Sequence, residues 1–264
     1  MEKLFGTKKL GFGFMRLPLT GPAADPASDV DLEKARRMVD DFMDAGLCYF
    51  DTAHGYLNGK SETALHHCLT SRYPRQSYLL ANKLSNSFFE SEEEIRPLFF
   101  SQLEACGVDY FDFYLMHAMN AVYYPKYCAC NAFAVARQLK AEGRIRHIGI
   151  SFHDKPALLE QILTEQPDIE VVQIQFNYAD YDSPSVESRV LYEICRRFQK
   201  PVIVMEPVRG GALANLPPQA AEAFAGMEAG AGRRAGQPAA PGRRGLCRNG
   251  GQPGGLCPAL CGQL

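Results

Sequence analysis

Residues 9–17 read KLGFGFMRL, a short apolar run with the length and composition of a first β-strand. In a doubly wound dinucleotide-binding fold, such a strand leads into the glycine fingerprint G-x-G-x-x-G. Here Gly11 and Gly13 supply the first two glycines, but Arg16 occupies the position of the third. The fingerprint is therefore absent, and this absence decides between the two architectures that the rest of the chain allows.

Beyond this run, the sequence alternates between short apolar runs and longer runs with helical periodicity. The further strand-like runs are CYFDTA, SYLLANKL, DFYLMHA, RHIGIS, VVQIQFN and PVIVME. The helical runs between them are DLEKARRMVDDFMDAG, SETALHHCLTSRY, SEEEIRPLFFSQLEACG, NAFAVARQLKAEG, KPALLEQILTEQ and SVESRVLYEICRRFQK. Mostly apolar strands at a period of about 30 residues are typical of parallel β/α units. Such units form an open doubly wound sheet or a closed (β/α)8 TIM barrel, and the missing fingerprint favours the barrel.

Residues at the helix boundaries support this alternation. Asp31 and Ser91 are placed to cap helix N-termini, where a side-chain oxygen accepts a hydrogen bond from a backbone N–H. Gly46, Gly107 and Gly143 follow helix C-termini, where the chain often adopts a left-handed conformation.

The composition is that of an ordinary globular protein. The 264 residues are 46% hydrophobic and carry a formal net charge of −2, which gives no indication of a nucleic-acid or membrane surface. The N-terminal residues lack the apolar core of a signal peptide, so we expect a cytoplasmic protein. The nine cysteines are expected to be free thiols in a reducing compartment. Cys128 and Cys130 lack the two-residue spacing of a metal-binding pair, and no metal is expected there.

Residues 229–264 break the alternating pattern. They contain ten glycines, four prolines and five arginines, but no Asp, Glu, Lys or aromatic residue. This composition predicts a disordered tail, and its bias toward residues of GC-rich codons indicates a shift of reading frame near Glu228. We therefore expect residues 1–228 to form a barrel domain of about seven β/α units, incomplete at its C-terminal end, followed by a low-complexity tail.

Four polar residues are expected at one end of this barrel. Asp51 ends the second strand, Tyr56 follows it in a loop, Lys83 ends the third strand and His117 ends the fourth. Catalytic groups of β/α barrels lie at the carboxyl ends of several strands. An ammonium group lowers the pKa of a nearby tyrosine, a carboxylate holds the ammonium, and an imidazole can orient a carbonyl oxygen. Such a group can deliver a proton to a carbonyl oxygen while a cofactor supplies hydride to the carbon.

These residues and their neighbours resemble the aldo-keto reductase family. The similarity lies in FDTAHGY with the following SE, in ANK and DFYLMH, and in GFGFMRLP, GRIRHIGIS and VVQIQFNY, and it extends from about residue 4 to residue 216. The segments GISFHD and VMEPVRGG are most similar to a bacterial branch whose members often carry a C-terminal ferredoxin-like 4Fe-4S module. The resemblance implies a (β/α)8 barrel that binds NADPH or NADH without a Rossmann fold and reduces an aldehyde or ketone to an alcohol.

The resemblance also implies roles for individual residues. Tyr56 is expected to be the general acid, Lys83 to tune its pKa, Asp51 to anchor Lys83, and His117 to orient the substrate. Ser151 and Gln173 are expected to hold the carboxamide of the nicotinamide. The remaining expected cofactor contacts are Gly13, Phe14 and Met15 at the nicotinamide ribose, Glu206 at the end of the seventh strand, and Arg209, Gly210 and Gly211 near the pyrophosphate.

The sequence departs from the family pattern at several positions. Phe152 and His153 replace the usual asparagine after the nicotinamide-binding serine, and Met205 or Glu206 falls where an aromatic residue often stacks on the nicotinamide. The three cysteines near the C-terminus lack the C-x2-C-x2-C spacing of a cluster, so no iron–sulfur cluster is expected; they are Cys247, Cys257 and Cys261.

Several alternatives stay open at this point. The expected partner is a small carbonyl compound, with no nucleic acid or membrane, whereas the oligomeric state and the choice between NADH and NADPH are not specified. The tyrosines of the run AVYYPKYC after the fourth strand fit either a substrate lid or ordinary loop packing. The alternatives to a reductase are a nucleotide-binding barrel that senses redox state without turnover, and an inactive product of a shifted reading frame.

Overall fold

The structure is a computed structural model that describes residues 8–23, 25, 28–215, 218–219 and 221–222. The described residues fall into two compact units that divide between Met205 and Glu206. The predicted domain boundary at residue 228 and the tail 229–264 lie outside the described residues.

The first unit contains seven strands and seven α-helices among its described residues. The strands are β1 (Gly11–Gly13), β2 (Tyr49–Asp51), β3 (Leu79–Leu84), β4 (Phe111–Met119), β5 (Ile145–Phe152), β6 (Val171–Gln175) and β7 (Val202–Met205). The helices are α1 (Leu32–Asp44), α2 (Ser61–Leu65), α3 (Glu92–Cys106), α4 (Tyr124–Ala129), α5 (Ala132–Ala141), α6 (Pro156–Glu165) and α7 (Ser188–Arg197). Short 3-10 turns include Tyr56–Gly59 and Asn86–Phe88. None of these helices has the length and apolar character needed to cross a membrane.

The strands form one parallel sheet in the order β1-β2-β3-β4-β5-β6-β7. A doubly wound sheet reverses its strand order near the middle, whereas a β/α barrel adds each strand next to the previous one. The consecutive order therefore confirms the barrel-type α/β fold predicted from the sequence. Among the described residues, β1 and β7 each pair with one neighbouring strand.

The sheet is curled rather than flat. The amide nitrogen Nε2 of Gln173 on β6 donates to Oδ2 of Asp51 on β2 at 3.0 Å. In a flat sheet these two strands would lie about 19 Å apart, since neighbouring strands are about 4.8 Å apart. The side chains can meet only because the sheet bends toward a closed barrel.

A small apolar cluster fills the concave side of this sheet. It consists of Tyr49, Ala81, Phe113, Leu115 and Val171. The space is tight where β5 passes this cluster, because a Cβ atom on Gly149 would lie 2.5 Å from Cγ1 of Val171 and 2.6 Å from Cδ2 of Leu115. Glycine at this position lets the strands approach.

A larger apolar cluster lies between the convex side of the sheet and the helices. Phe50, Leu80, Tyr114, Ile150 and Ile174 are strand residues of this cluster, and each is at most 1% exposed. Alternate strand residues therefore pack inward and outward, and both faces are apolar, as expected for parallel β/α units.

The helix boundaries agree in part with the sequence predictions. The Asp31 side chain caps α1 by accepting a hydrogen bond from the backbone N–H of Lys34, and Gly107 ends α3 in the left-handed conformation. The predicted side-chain cap at Ser91 is wrong, because Ser91 precedes α3 but makes no cap hydrogen bond.

Candidate active site

Four predicted residues lie near the carboxyl ends of three neighbouring strands. Asp51 ends β2, Lys83 is the penultimate residue of β3, and His117 lies near the end of β4. Tyr56 begins the 3-10 turn that follows β2. Because the strands are parallel neighbours, the structure brings these four side chains to the same edge of the sheet.

Lys83 is the centre of this group. Its side chain is 1% exposed, and its Nζ atom donates to Oδ1 of Asp51 at 2.5 Å and to the backbone oxygen of Thr52 at 2.8 Å. The same nitrogen lies 4.7 Å from the centre of the Tyr56 ring. A buried ammonium is costly unless it is paired, and here Asp51 and Thr52, at the end of β2, supply the partners.

The pKa values of Lys83 and Tyr56 follow from burial and charge. Burial disfavours the Lys83 ammonium, but Asp51 and Tyr56 outweigh that cost, so the pKa of Lys83 is raised. Burial also raises the pKa of Tyr56, and the Lys83 charge opposes this rise without reversing it. The lowered tyrosine pKa predicted from the sequence is therefore wrong in its net direction. Tyr56 is protonated at neutral pH and holds a proton that it can donate.

His117 completes the group from β4. Its ring lies edge-on to the Tyr56 ring, with the centroids 5.6 Å apart. Burial, followed by the charges of Lys83 and His153, lowers the pKa of His117 to about 3. The imidazole is therefore neutral at physiological pH, with one nitrogen that donates and one that accepts.

Strained backbone follows both of these aromatic side chains. Leu57 and Asn58, directly after Tyr56, have φ of 52° and 55°, and Ala118, directly after His117, has φ of 55°. Residues other than glycine adopt this left-handed region at a cost of about 1–3 kcal/mol each, and such strain is concentrated at functional sites. Asn131, Glu187 and Gln199 share this conformation elsewhere in the chain, so it describes the local geometry of the site and is not by itself evidence of function.

A buried polar network behind the site was not predicted from the sequence. The Glu62 side chain is 1% exposed, with Oε2 2.7 Å from Nδ1 of His54 and Oε1 accepting from Asn82 at 2.7 Å and from Gln102 at 3.1 Å. Gln102 also donates to the backbone oxygen of Lys83 at 3.0 Å. The hydrogen bond to Glu62 raises the pKa of His54. The network connects the loop that precedes Tyr56 to the strand that presents Lys83.

The tyrosines after β4 serve as packing rather than as an open lid. Tyr124 and Tyr127 are buried, and the Tyr127 hydroxyl donates to the backbone oxygen of Leu84 at 2.6 Å. The same hydroxyl lies 3.0 Å from the backbone oxygen of His117 and 3.2 Å from its backbone nitrogen. Tyr127 thus joins the ends of β3 and β4. Of the substrate lid and the loop packing that the sequence left open, the structure supports loop packing.

Two predicted cofactor contacts lie beside each other on β5 and β6. Ser151 and Gln173 are paired in the sheet register and are 1% and 5% exposed. The Ser151 hydroxyl accepts from the backbone N–H of Ala118 at 2.8 Å, and Gln173 donates to Asp51. Within the described part of the chain, the Ser151 hydroxyl hydrogen and the Gln173 amide oxygen make no further hydrogen bond. Together they offer a donor and an acceptor, which is the pattern that a carboxamide requires.

The predicted ribose contacts differ in exposure. Gly13 ends β1 opposite Asp51, and the Met15 side chain is 45% exposed. Phe14 is completely buried, and its ring lies against Phe12 with centroids 5.3 Å apart. The Phe14 side chain is therefore part of the core, so a ligand contact at this position would have to involve its backbone.

The predicted pyrophosphate contacts belong to the second unit. Arg209, Gly210 and Gly211 form a 3-10 turn, and the N–H of Arg209 donates to the backbone oxygen of Glu206 at 3.0 Å. Gly210 and Gly211 have φ of 65° and 98°, which glycine adopts without strain.

No metal site is evident in the part of the chain that the structure describes. No group of three or more His, Cys, Asp or Glu side chains is arranged to hold an ion among those residues. Cys128 is an exposed free thiol and Cys130 a buried one. The three C-terminal cysteines considered for a cluster lie outside the described residues.

The sequence model of the Aldo/keto reductase family matches residues 9–229. The chain therefore belongs to the aldo/keto reductase family, whose members are oxidoreductases that use a nicotinamide cofactor. Among curated proteins, it is 26% identical over 236 residues to the NADH-specific methylglyoxal reductase of Escherichia coli (strain K12). That alignment covers 81% of this chain and 69% of the relative.

Solved structures of aldo-keto reductases share the fold. A thermostable aldo-keto reductase in complex with the inhibitor epalrestat is 21% identical, with a TM-score of 0.67 over 86% of this chain and 77% of that one. The holo form of an aldo-keto reductase from Bacillus halodurans is 27% identical, with a TM-score of 0.61 over 79% and 65% of the two chains. An aldo-keto reductase from Klebsiella pneumoniae in complex with NADPH is 20% identical, with a TM-score of 0.60 over 78% and 66%.

Proposed function

We propose that this chain reduces an aldehyde or ketone to an alcohol, with Tyr56 as the proton donor. The observation that supports the proposal most strongly is the buried Lys83, which contacts Asp51 on one side and the Tyr56 ring on the other. A barrel core has no structural need for a buried charge, and burying one costs free energy. Its position beside the half-buried Tyr56 fits the stabilisation of tyrosinate.

Each of the four residues has a distinct part in the proposed reaction. A bound NADH or NADPH supplies the hydride that the carbonyl carbon accepts. Tyr56 transfers its phenolic proton to the carbonyl oxygen, and the resulting tyrosinate is stabilised by the Lys83 ammonium. Asp51 holds Lys83 in place, and water returns a proton to Tyr56 after the alcohol leaves. The low pKa of His117 keeps its ring neutral, so it can donate one hydrogen bond to the carbonyl oxygen.

The cofactor is proposed to place its carboxamide against Ser151 and Gln173. The serine hydroxyl would donate to the carboxamide oxygen, and the glutamine oxygen would accept from the carboxamide nitrogen. Gly13 and Met15, together with the backbone of Phe14, are proposed to line the ribose. Glu206, Arg209, Gly210 and Gly211 are proposed as further contacts near the pyrophosphate.

The E. coli relative suggests the first substrate and cofactor to test. It is an NADH-specific methylglyoxal reductase. We therefore propose a small 2-oxoaldehyde as substrate and NADH as the preferred nucleotide. Such a compound offers a reactive aldehyde to Tyr56 and His117 and carries a second carbonyl oxygen.

The test combines binding with turnover. The purified full-length chain is titrated with NADH and with NADPH by nucleotide fluorescence, and nucleotide oxidation is then followed with methylglyoxal and a panel of aldehydes and ketones. Saturable binding and substrate-dependent oxidation are expected. Binding without oxidation of any carbonyl would instead support a redox-sensing barrel, and no binding would contradict the proposal that the described residues form a working cofactor cleft.

A further inference from the structure

We propose that Ser85 is a positioning residue that holds His117 in the tautomer with its proton on Nε2. The Oγ atom of Ser85 lies 2.6 Å from Nδ1 of His117, and Ser85 is 6% exposed. This inference rests on the proposed function, because it assigns His117 the task of donating to a carbonyl oxygen. It concerns a residue outside the Asp51, Tyr56, Lys83 and His117 group.

The surrounding backbone holds the two side chains at a fixed distance. Ser85 directly follows β3, and its backbone oxygen accepts a hydrogen bond from the N–H of Phe88 at 3.1 Å. The Tyr127 hydroxyl bonds to Leu84, the residue before Ser85, and to the backbone of His117. The contact between Ser85 and His117 is therefore supported from both strands and does not depend on one flexible side chain.

The tautomer follows from the donors and acceptors available. The half-buried imidazole is neutral, so only one of its two nitrogens bears a proton. If Nδ1 bore that proton, it would donate to Ser85, and Nε2 would present a lone pair toward an incoming carbonyl oxygen. Two lone-pair atoms cannot form a hydrogen bond with each other. The Ser85 hydroxyl hydrogen would also have no acceptor among the described residues.

The opposite arrangement pairs the Ser85 hydroxyl with Nδ1 and leaves the Nε2 proton for a substrate oxygen. The Ser85 hydroxyl donates to the lone pair of Nδ1, and the ring proton then lies on Nε2, the remaining polar atom of the ring. A carbonyl oxygen could then accept hydrogen bonds from both His117 and the Tyr56 hydroxyl. Ser85 would thereby set the orientation of the substrate without touching it.

The experiment reads the tautomer directly. The full-length chain is labelled with 15N-histidine, and ring nitrogen shifts are recorded for the wild type, Ser85→Ala and Ser85→Thr, with the His117 signals assigned from a His117→Asn sample. Steady-state reduction of methylglyoxal is measured on the same proteins. Ser101→Ala is the matched control, because among the described residues its exposed hydroxyl donates to the backbone oxygen of Leu98 in its own helix.

The proposal predicts an unprotonated Nδ1 and a protonated Nε2 in the wild type. Ser85→Ala should lose this single tautomer and lower kcat about tenfold, a typical effect of one buried hydrogen bond. Ser85→Thr keeps the hydroxyl and should restore the tautomer, and Ser101→Ala should change neither quantity. A protonated Nδ1 in the wild type, or an unchanged tautomer in Ser85→Ala, would overturn the proposal. Because the spectrum requires no turnover, an inactive wild type would contradict the proposed function and leave the tautomer measurement interpretable.

Discussion

The β2–β4 part of the sheet and the β7 edge differ in the burial and hydrogen bonding of their side chains. Lys83 on β3 is 1% exposed and lies within two connected polar networks, one through Asp51 and one through Gln102. On β7, Val204 is 41% exposed, and no β7 residue is fully buried. The proposed proton-donating group is therefore carried by strands that are more buried than β7. We expect the β7 edge to contribute less to the stability of the site.

The largest predicted effect comes from removing the buried ammonium. Lys83→Met leaves Asp51 without its cation, and we expect the free energy of unfolding to fall by about 3–5 kcal/mol, with loss of turnover. Lys200→Met is the matched control next to β7, since the Lys200 ammonium donates to the backbone oxygen of Pro167 near the surface. That variant should change stability by less than about 0.5 kcal/mol. Urea unfolding of both proteins measures the contrast, and equal losses would contradict it.

The next effect concerns the carboxylate behind the site. Glu62→Gln replaces the carboxylate that accepts from His54, Asn82 and Gln102 by an amide. We expect the free energy of unfolding to fall by about 2–4 kcal/mol and kcat to be lower. Glu160→Gln is the control, because Glu160 is half exposed and pairs with Arg197 on the surface. It should be near neutral. Thermal unfolding and steady-state kinetics test this pair, and an active, fully stable Glu62→Gln protein would show that the network does not support the site.

These two cases also show how far the sequence can predict the site. Lys83 was predictable because a lysine at the end of an apolar strand needs a partner, and the strand order puts Asp51 beside it. The alternation of apolar and helical runs predicted parallel β/α units, and the missing glycine fingerprint then favoured the consecutive strand order of a barrel. Such arguments depend on patterns that are local or repeated along the chain.

The contacts of Glu62, Ser85 and Tyr127 were not predictable in this way. Glu62 meets Asn82 and Gln102 only because α2 and α3 pack against β3, and no periodicity indicates that contact. The direction of the Tyr56 pKa was also beyond the sequence, because it depends on whether burial outweighs the Lys83 charge. The depth of burial is a property of the assembled barrel.

A single substitution made at two positions sharpens the comparison between the packed sheet and its edge. Val172 on β6 is completely buried, whereas Val204 on β7 is 41% exposed. Val172→Thr buries a hydroxyl, and we expect it to lower the free energy of unfolding by about 1–2 kcal/mol. Val204→Thr should cost less than about 0.5 kcal/mol, because both side chains are β-branched and the hydroxyl can reach water. Denaturant midpoints compare the two proteins, and equal costs would mean that β7 is as well packed as β6.

A further prediction separates two histidines by pH. The pKa of His117 is lowered to about 3, so stability should fall as pH drops below the unfolded value of 6.5, with a slope of up to about 1.4 kcal/mol per pH unit. The pKa of His54 is raised, so its contribution is complete below 6.5 and is lost as pH rises through its folded pKa. The free energy of unfolding is measured at pH 5, 6, 7 and 8. In His117→Asn its fall below pH 6.5 should become smaller, and in His54→Gln its fall above pH 6.5 should become smaller. The reverse pattern would contradict the assigned directions.

The most direct test of the account is the Tyr56→Phe variant. Its nucleotide-dependent reduction of methylglyoxal is compared with that of the wild type and of Tyr192→Phe, a hydroxyl deletion on α7. We expect Tyr56→Phe to lower kcat by about 100- to 10,000-fold while nucleotide binding is retained, and Tyr192→Phe to have the kcat of the wild type. Wild-type rates in Tyr56→Phe would show that another group donates the proton and would contradict the central claim.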